Sequence, residues 1–360
     1  MKVMTTLMTT VLVLILISCT TNNETIKIGG VFHLTGPAAV WGEGEMNAAA
    51  LAVEEINNAG GINGKQTELI IEDSKTDFTT TTTAFRKLIE LDEIKMIVGP
   101  TWFGQVAYQI ADETGTIIIS PSTGTSTPST IYFFNLWPHE RAQIIPEIEY
   151  MKTEGIKKIA IVHTTNEWSE SMKQNFVDEA RKQNLTIVKE FGSAPDEQDF
   201  KTIITQLKQL DIDVVYAPFA FYPSQGAFSK QAKELGLTIP IYSTDGTENV
   251  ELLTAFPEIE GTIYPYRTKG PREDEFISNY RAKFNKDPSP ASAYAYDAVM
   301  LLVGTLKEGK QSPDEIADYL RSIKNHIGAS NRITFDEFGR VAEKPYEMKI
   351  VENNSFIIIS

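Results

Sequence analysis

Two short segments of this chain each end an apolar run with hydroxyls, a turn and room for backbone donors. Pro100-Thr101-Trp102-Phe103 follows Lys95 to Val98, and Ser120-Pro121-Ser122-Thr123-Gly124 follows Thr116 to Ile119. Hydroxyls, free N–H groups and helix N-termini at such a place are the donors that a carboxylate takes. A third segment, Ile241-Tyr242-Ser243-Thr244-Asp245-Gly246, also ends an apolar run and carries an acid, the partner that an ammonium takes. Trp41, Trp102, Trp168, Phe221 and Tyr222 fall in expected loops, where aromatic rings can enclose the apolar part of a ligand. Each group also has a plainer use. Serine and threonine satisfy turns and caps. Asp245 could cap a helix over Val250 to Phe256, although Thr247 or Asn249 could do so instead. Aromatic rings pack cores, and for any one of these five the two readings weigh equally.

Other chemistries lack their marks. Gly60-Gly61-Ile62-Asn63-Gly64-Lys65-Gln66 has the outline of a phosphate-binding loop, yet Ala59 stands where the first glycine belongs and Gln66 where a magnesium-binding hydroxyl belongs. It also follows a helical pattern rather than a strand, so a helix-ending turn accounts for it. Gly42-x-Gly44 lacks the third glycine of a dinucleotide fingerprint. His33, His139, His163 and His326 do not pair at metal-ligand spacing, and there is no thiol cluster. No Gly-x-Ser-x-Gly elbow is present. The sequence therefore assigns no catalytic residue, no metal ligand and no cofactor. A net charge of -15 speaks against charge-driven binding of nucleic acid or anionic lipid.

The elements that must position these groups are legible from periodicity. Ile26 to Phe32 suits a buried strand, Gly36, Pro37, Gly42 and Gly44 punctuate a loop, and from Met46 the apolar positions Met46, Ala49, Ala50, Val53 and Ile56 share one helical face. Leu69 to Glu72 completes a β-α-β unit, whose ligand edge is the carboxyl end of its first strand. A helix over Asp77 to Glu90 contains the run Thr79 to Thr83, whose β-branched residues predict a frayed first turn. A helix over Thr101 to Ala111 follows. Near Pro138 to Arg141 the pattern restarts, with helices over Ala142 to Lys152, Trp168 to Gln183, Gln198 to Leu210 and Gln225 to Leu235 between further strands. The alternation predicts an α/β fold with parallel sheets, and its two runs predict two lobes with a cleft between them. At 360 residues with 42% hydrophobic content the chain can build both cores.

The N-terminus reads as a processing segment. Lys2 precedes the apolar run Val11 to Ile17, which is too short to span a bilayer, and Leu16-Ile17-Ser18-Cys19 resembles a bacterial lipobox. The single cysteine, Cys19, is the expected lipidation site, residues 1–18 the signal peptide and residues 19–25 a tether.

The ordered set IKIGGVFHLTGPAAVWGE, AAALAVEEINNAGGINGK, LIIEDSKTD, KMIVGP and IIISPSTGTS resembles the type I periplasmic solute-binding proteins for branched-chain amino acids (leucine, isoleucine, valine) and related solutes. The resemblance extends in order to the C-terminus. It implies two Rossmann-like lobes joined by a hinge of three crossings, near Glu140, Tyr264 and Asp336, and hence lobes of residues 26–140 plus 265–335 and 141–264 plus 336–360. It implies that Thr101, Trp102, Phe103, Ser122 and Thr123 hold a ligand carboxylate, that Asp245 pairs with its amine, and that Trp41, Trp168, Phe221 and Tyr222 line the cleft. Phe103 and Gly124 depart from a serine and a threonine common in the amino-acid binders and remove hydroxyls from the carboxylate pocket, which points away from leucine, isoleucine or valine and toward a larger, more aromatic solute, an amide or an aromatic acid. The implied role is the extracytoplasmic, lipid-anchored binding component of an ABC transporter, partnered by permease and ATPase subunits and free of cofactors. The alternative is a ligand sensor of the same fold acting through a separate receptor or kinase.

Overall fold

The computed structural model describes residues 25–123, 130–341 and 346–360. Cys19, most of the expected tether and Gly124 lie outside the described residues. In chain order the strands are β1 (Ile26–Phe32), β2 (Thr67–Asp73), β3 (Met96–Val98), β4 (Ile117–Ser120), β5 (Phe133–Asn135), β6 (Lys158–Thr164), β7 (Thr186–Ser193), β8 (Val214–Tyr216), β9 (Ile241–Tyr242), β10 (Ile263–Arg267), β11 (His326–Ile327), β12 (Arg332–Ile333), β13 (Tyr346–Glu352) and β14 (Ser355–Ile358). The helices are α1 (Ala39–Asn58), α2 (Phe78–Arg86), α3 (Gly104–Thr114), α4 (Arg141–Thr153), α5 (Glu167–Lys182), α6 (Lys201–Leu207), α7 (Tyr222–Glu234), α8 (Val250–Ala255), α9 (Glu273–Phe284), α10 (Ser292–Lys307) and α11 (Pro313–Ser322).

Two sheets organise them. The first runs β2-β1-β3-β4-β5 and is parallel throughout. The second runs β14-β13-β10-β9-β8-β6-β7, parallel from β10 to β7 and antiparallel at β13 and β14. Helices cover both faces of each, so the central strands are apolar over most of their length and successive residues enter different cores. Ile117 and Ile119 join the cluster under α1 and α10, while Ile118 joins the cluster under α2 and α3. In the second sheet, Ile159 and Ile161 face one core and Ala160 and Val162 the other. Ligand-bearing loops therefore gather at the carboxyl ends of two parallel sheets.

Several boundaries differ from the sequence reading, for identifiable reasons. The helix expected from Met46 begins at Ala39 and runs through Gly42 and Gly44. These glycines serve close packing rather than a loop: a Cβ on Gly42 would lie 2.2 Å from the His33 carbonyl oxygen, and one on Gly44 2.1 Å from Ser289 Oγ. The threonine run is not frayed. Asp77 accepts from the Thr80 N–H as N-cap, and the Thr81, Thr82 and Thr83 hydroxyls donate to the carbonyls four residues back. The helix expected from Thr101 starts at Gly104, leaving Thr101, Trp102 and Phe103 in the turn before it. Trp41, Trp168 and Tyr222 lie in the first turns of α1, α5 and α7 rather than in loops.

Strand β10 continues to Arg267, which pairs with Tyr346, so residues 265–267 lie in the second sheet and not with the first. Conversely, Arg340 bridges Asn135 and Val341 bridges Phe335, keeping residues 336–341 beside β5.

Candidate functional site

A cavity lies between the carboxyl ends of the two sheets. Trp41, Trp102, Trp137 and Ser122 line it from the first-sheet side. From the second-sheet side come Trp168, Phe219, Ala220, Tyr222, Gln225, Asp245 and Gly246. All four tryptophans of the chain face this one space.

The rings are fixed by one another. Trp41 meets Trp102 at a centroid distance of 5.6 Å and Trp137 at 5.7 Å, both edge to face. Trp102 has φ +66, a left-handed conformation that tryptophan adopts at a cost, and its ring reaches Phe221 of the opposite side at 5.6 Å. The strained turn thus holds one ring across the gap.

Ser122 is the hydroxyl that this wall offers. It is almost fully buried, lines the cavity and, among the described residues, makes no hydrogen bond of good geometry through its Oγ, with Glu45 within reach behind it. Its neighbours are spent on holding the loop. The Ser120 hydroxyl donates to the Pro100 carbonyl at 2.9 Å and accepts from the Thr123 N–H at 3.1 Å. The Thr123 hydroxyl donates to the Trp102 carbonyl at 3.1 Å, and Asn135 Nδ2 donates to the Thr123 carbonyl. The Thr101 hydroxyl donates to Glu45 Oε2. Phe103 packs its ring on His33 at 4.9 Å and on Phe78 at 6.0 Å. Of the five residues expected to hold a carboxylate, Trp102 and Ser122 line the cavity. Thr101, Phe103 and Thr123 do not: they form the layer behind it, because their polar or apolar surface is already engaged. Phe221, likewise, is not on the lining but supports it through Trp102.

The opposite wall carries the acid. Asp245 is 3% exposed and opens a 3-10 turn, Asp245–Thr247, with its own N–H donating to Gln143 Oε1 at 3.1 Å. It caps no α-helix, since Asn249 accepts from the Leu252 N–H and so caps α8. Burial pushes the Asp245 carboxyl up to about 7, against hydrogen bonding from Gln143 and the field of Arg267. Glu140, at the N-cap of the helix that carries Gln143, and Glu147 within it are fully buried; Glu140 Oε2 lies 3.7 Å from His139 Nε2, and the Glu147 carboxyl has no hydrogen-bond partner among the described residues. Burial pushes Glu140 up to about 8 and Glu147 well above the usual carboxylate range, each reinforced by Asp245. Arg267 is itself paired with Glu273 at 2.6 Å. The second wall is acid-rich and presents one carboxyl, Asp245, to the cavity.

Trp137, Phe219 and Gln225 were missed by sequence reasoning. Trp137 had a readable signal, since it stands two residues beyond the short strand ending at Asn135. Gln225 gave none: it lies inside α7, and only the fold shows its amide, which donates to Ser243 Oγ at 3.2 Å and Thr247 Oγ1 at 2.9 Å, at the cavity wall. Among the described residues no cluster of three or more His, Cys, Asp or Glu has a metal-binding arrangement.

The family described as periplasmic binding protein matches residues 25–354. The leucine-, isoleucine-, valine-, threonine- and alanine-binding protein of Pseudomonas aeruginosa is 28% identical over 333 residues, covering 88% of this chain and 87% of its own. The Leu/Ile/Val-binding protein of Escherichia coli is 28% identical over 331 residues, covering 88% of each chain. Among solved structures, the branched-chain amino acid transporter substrate-binding protein of Streptococcus pneumoniae, in complex with isoleucine, superposes with a TM-score of 0.85 at 26% identity, covering 93% of this chain and 99% of its own. The match over nearly all of the sequence, together with two parallel-stranded sheets that superpose on that structure, shows that this chain belongs to the periplasmic binding protein family, in its type I branched-chain amino acid group.

Proposed function

We propose that the chain is the substrate-binding component of an ABC transporter and captures a small amino-acid-like solute in the cavity between its sheets. The observation that carries this is the pairing of the buried, cavity-lining Ser122 hydroxyl on one wall with buried Asp245 on the other. A carboxylate at Ser122 and an ammonium at Asp245 would each gain a charge-assisted hydrogen bond away from water. The relatives named for leucine, isoleucine and valine support an amino acid as the solute class. Four tryptophans on the wall favour a bulky apolar or aromatic side chain, which rings enclose well. The two sheets act as lobes hinged where the chain crosses between them. Ligand contacts to both sides favour the closed form, which permease and ATPase partners would then engage. No turnover accompanies binding, and mass spectrometry of solute recovered after incubation checks this. The alternative of a sensor acting through a separate receptor rests on no feature of the cavity.

Titration calorimetry of the purified chain against L-amino acids tests the function, with saturable binding of at least one apolar amino acid as the expected result. Absence of saturable binding across the panel defeats the proposal. The lipid anchor is a separate part of the reading. It is supported by the Leu16-Ile17-Ser18-Cys19 sequence, and incorporation of labelled palmitate that is lost in Cys19→Ala is its test. No helix among the described residues is long and apolar enough to cross a membrane.

A further inference from the structure

Behind the first wall of the cavity lies a carboxyl group not yet given a role. Glu45 stands on α1, one turn beyond Trp41, and is fully buried. Its Oε2 accepts from the Thr101 hydroxyl, which in turn accepts from the His33 backbone N–H at 3.3 Å. Its Oε1 makes no hydrogen bond of good geometry among the described residues, nor does the Ser122 hydroxyl, although the two lie within reach of each other. Two buried polar atoms, side by side at the edge of a ligand cavity, are each costly to leave unsatisfied.

The surroundings of Glu45 are uncharged. Thr101 faces it from the turn after β3 and Ser122 from the turn after β4. From α10 the neighbouring group on this turn of α1 is the Ser292 hydroxyl, beside Gly44. Beyond Thr101 lies His33, whose Nδ1 is bonded to Ser74 Oγ at 2.6 Å and whose imidazole is kept neutral by burial, pushed down to about 3 against the field of Asp73. With no cation to hold it ionised, burial pushes Glu45 up to about 8 against hydrogen bonding from Ser122 and Thr101, so at neutral pH it is a carboxylic acid. Since Oε2 already accepts, the acid proton belongs on Oε1, the oxygen left free on the Ser122 side.

We propose that Glu45 is a positioning residue for the anionic end of the ligand: its O–H donates to Ser122 Oγ, which obliges the Ser122 hydroxyl to donate into the cavity, to a carboxylate oxygen. This rests on the reading that the ligand carboxylate lies at Ser122. The direction of the chain of hydrogen bonds is what matters. A neutral Glu45 leaves Ser122 a donor toward the ligand. An ionised Glu45 turns the Ser122 hydrogen back on itself and adds a negative charge behind a negative ligand group. The subsite thus selects an acceptor without a lysine or arginine, and it has an alkaline limit.

Two measurements on the full chain test this, using Glu45→Gln, which keeps a neutral donor and acceptor, and Glu45→Ala, which removes both. The first needs no ligand. Trp41 and Trp102 flank Glu45, so tryptophan emission of the empty protein between pH 6 and 10 contains its titration. The expected result is a transition near pH 8 whose amplitude is larger in the wild type than in E45Q, the contributions of Glu140 and Asp245 being common to both proteins. Superimposable curves overturn the proposal. The second is calorimetry with L-leucine and L-phenylalanine from pH 6.5 to 9.5. Wild-type affinity falls toward tenfold per pH unit above 8, beyond any loss shared with E45Q through the ligand's own ammonium. At pH 7, E45Q binds within about fivefold of wild type and E45A is at least tenfold weaker. An identical alkaline decline in E45Q, or equal binding by E45A and wild type at pH 7, overturns it. If neither amino acid binds the wild type, the function proposed above falls, and the fluorescence pair still decides for or against Glu45.

Discussion

Asp245 is a residue whose chemistry depends on whether the cavity is filled. Empty, its carboxyl is raised to about 7 because burial strips its water. A ligand ammonium would favour the ionised form and return the value toward the ordinary range, so binding near neutrality releases a proton. Through Asp245 affinity therefore rises with pH up to about 7 and gains nothing further above it, where the decline set by Glu45 begins near 8. Asp245→Asn removes this acid arm and weakens binding by at least tenfold, which calorimetry in buffers of differing ionisation enthalpy measures through the proton count. The sign for stability of the empty protein is opposite. Asp245, Glu45 and Glu140 bind protons more tightly folded, at about 7, 8 and 8, than at their ordinary values of 3.8, 4.5 and 4.5. Between about pH 4 and 8 the native state holds more protons than the unfolded chain, so stability falls as pH rises through that window. The expected outcome is a melting temperature of the ligand-free protein lower at pH 8 than at pH 5, by on the order of 5 °C or more, with E45Q flattening part of the slope.

At the scale of elements, α1 carries both Trp41 and Glu45, and its first turns were the least legible part of the chain. The alternating apolar pattern exposed the strands, because burial on both faces leaves few polar positions to confuse them. It also exposed the amphipathic body of α1. Gly42 and Gly44 misled, since glycine punctuates loops and also permits backbones to touch, and only the packed structure tells which. The candidate site divides in the same way. Ser122, Asp245 and the aromatic residues stood out by type and by position at strand ends. That Thr101 and Thr123 face away could not be read, because it depends on hydrogen bonds between loops far apart in sequence, such as Thr123 to Trp102. Nor could Glu45, which precedes the helical pattern expected from Met46 and joins α1 only because the helix starts at Ala39. The tight seat of α1 gives a prediction. Gly42→Ala drives a Cβ to 2.2 Å from the His33 carbonyl oxygen, backbone that cannot swing aside. The helix start must shift, costing about 2–4 kcal/mol in chemical denaturation and displacing Trp41 from its contacts with Trp102 and Trp137.

For the whole molecule the question is what holds two sheets at one separation. Two contacts bear on it. Arg267, the last residue of β10, is buried and paired with Glu273 at the start of α9, with its guanidinium over the rings of Tyr294 and Tyr266 at 5.2 and 5.4 Å. It ties the second sheet to the helix that returns the chain to the first. Glu273→Gln leaves that cation uncompensated in the interior, and a loss of about 3–5 kcal/mol in stability is expected from denaturant titration, well beyond the effect of a surface pair. The other contact, Trp102 against Phe221, joins the two sides of the cavity through protein side chains alone. If the hinge reading holds, this contact lowers the free energy of the closed form in the empty protein as well as the filled one, so it biases the equilibrium without conferring selectivity. A contact of this kind is worth about 0.5–1.5 kcal/mol beyond its buried area. Its removal in Phe221→Ala should therefore shift the empty protein toward open forms, and apparent affinity should fall by the same factor, about tenfold, for every ligand that binds. Small-angle scattering is the measurement: F221A shows a larger radius of gyration than wild type when empty, and saturating ligand brings the two together. An unchanged radius with a ligand-specific loss of affinity would mean instead that Phe221 acts by touching the solute.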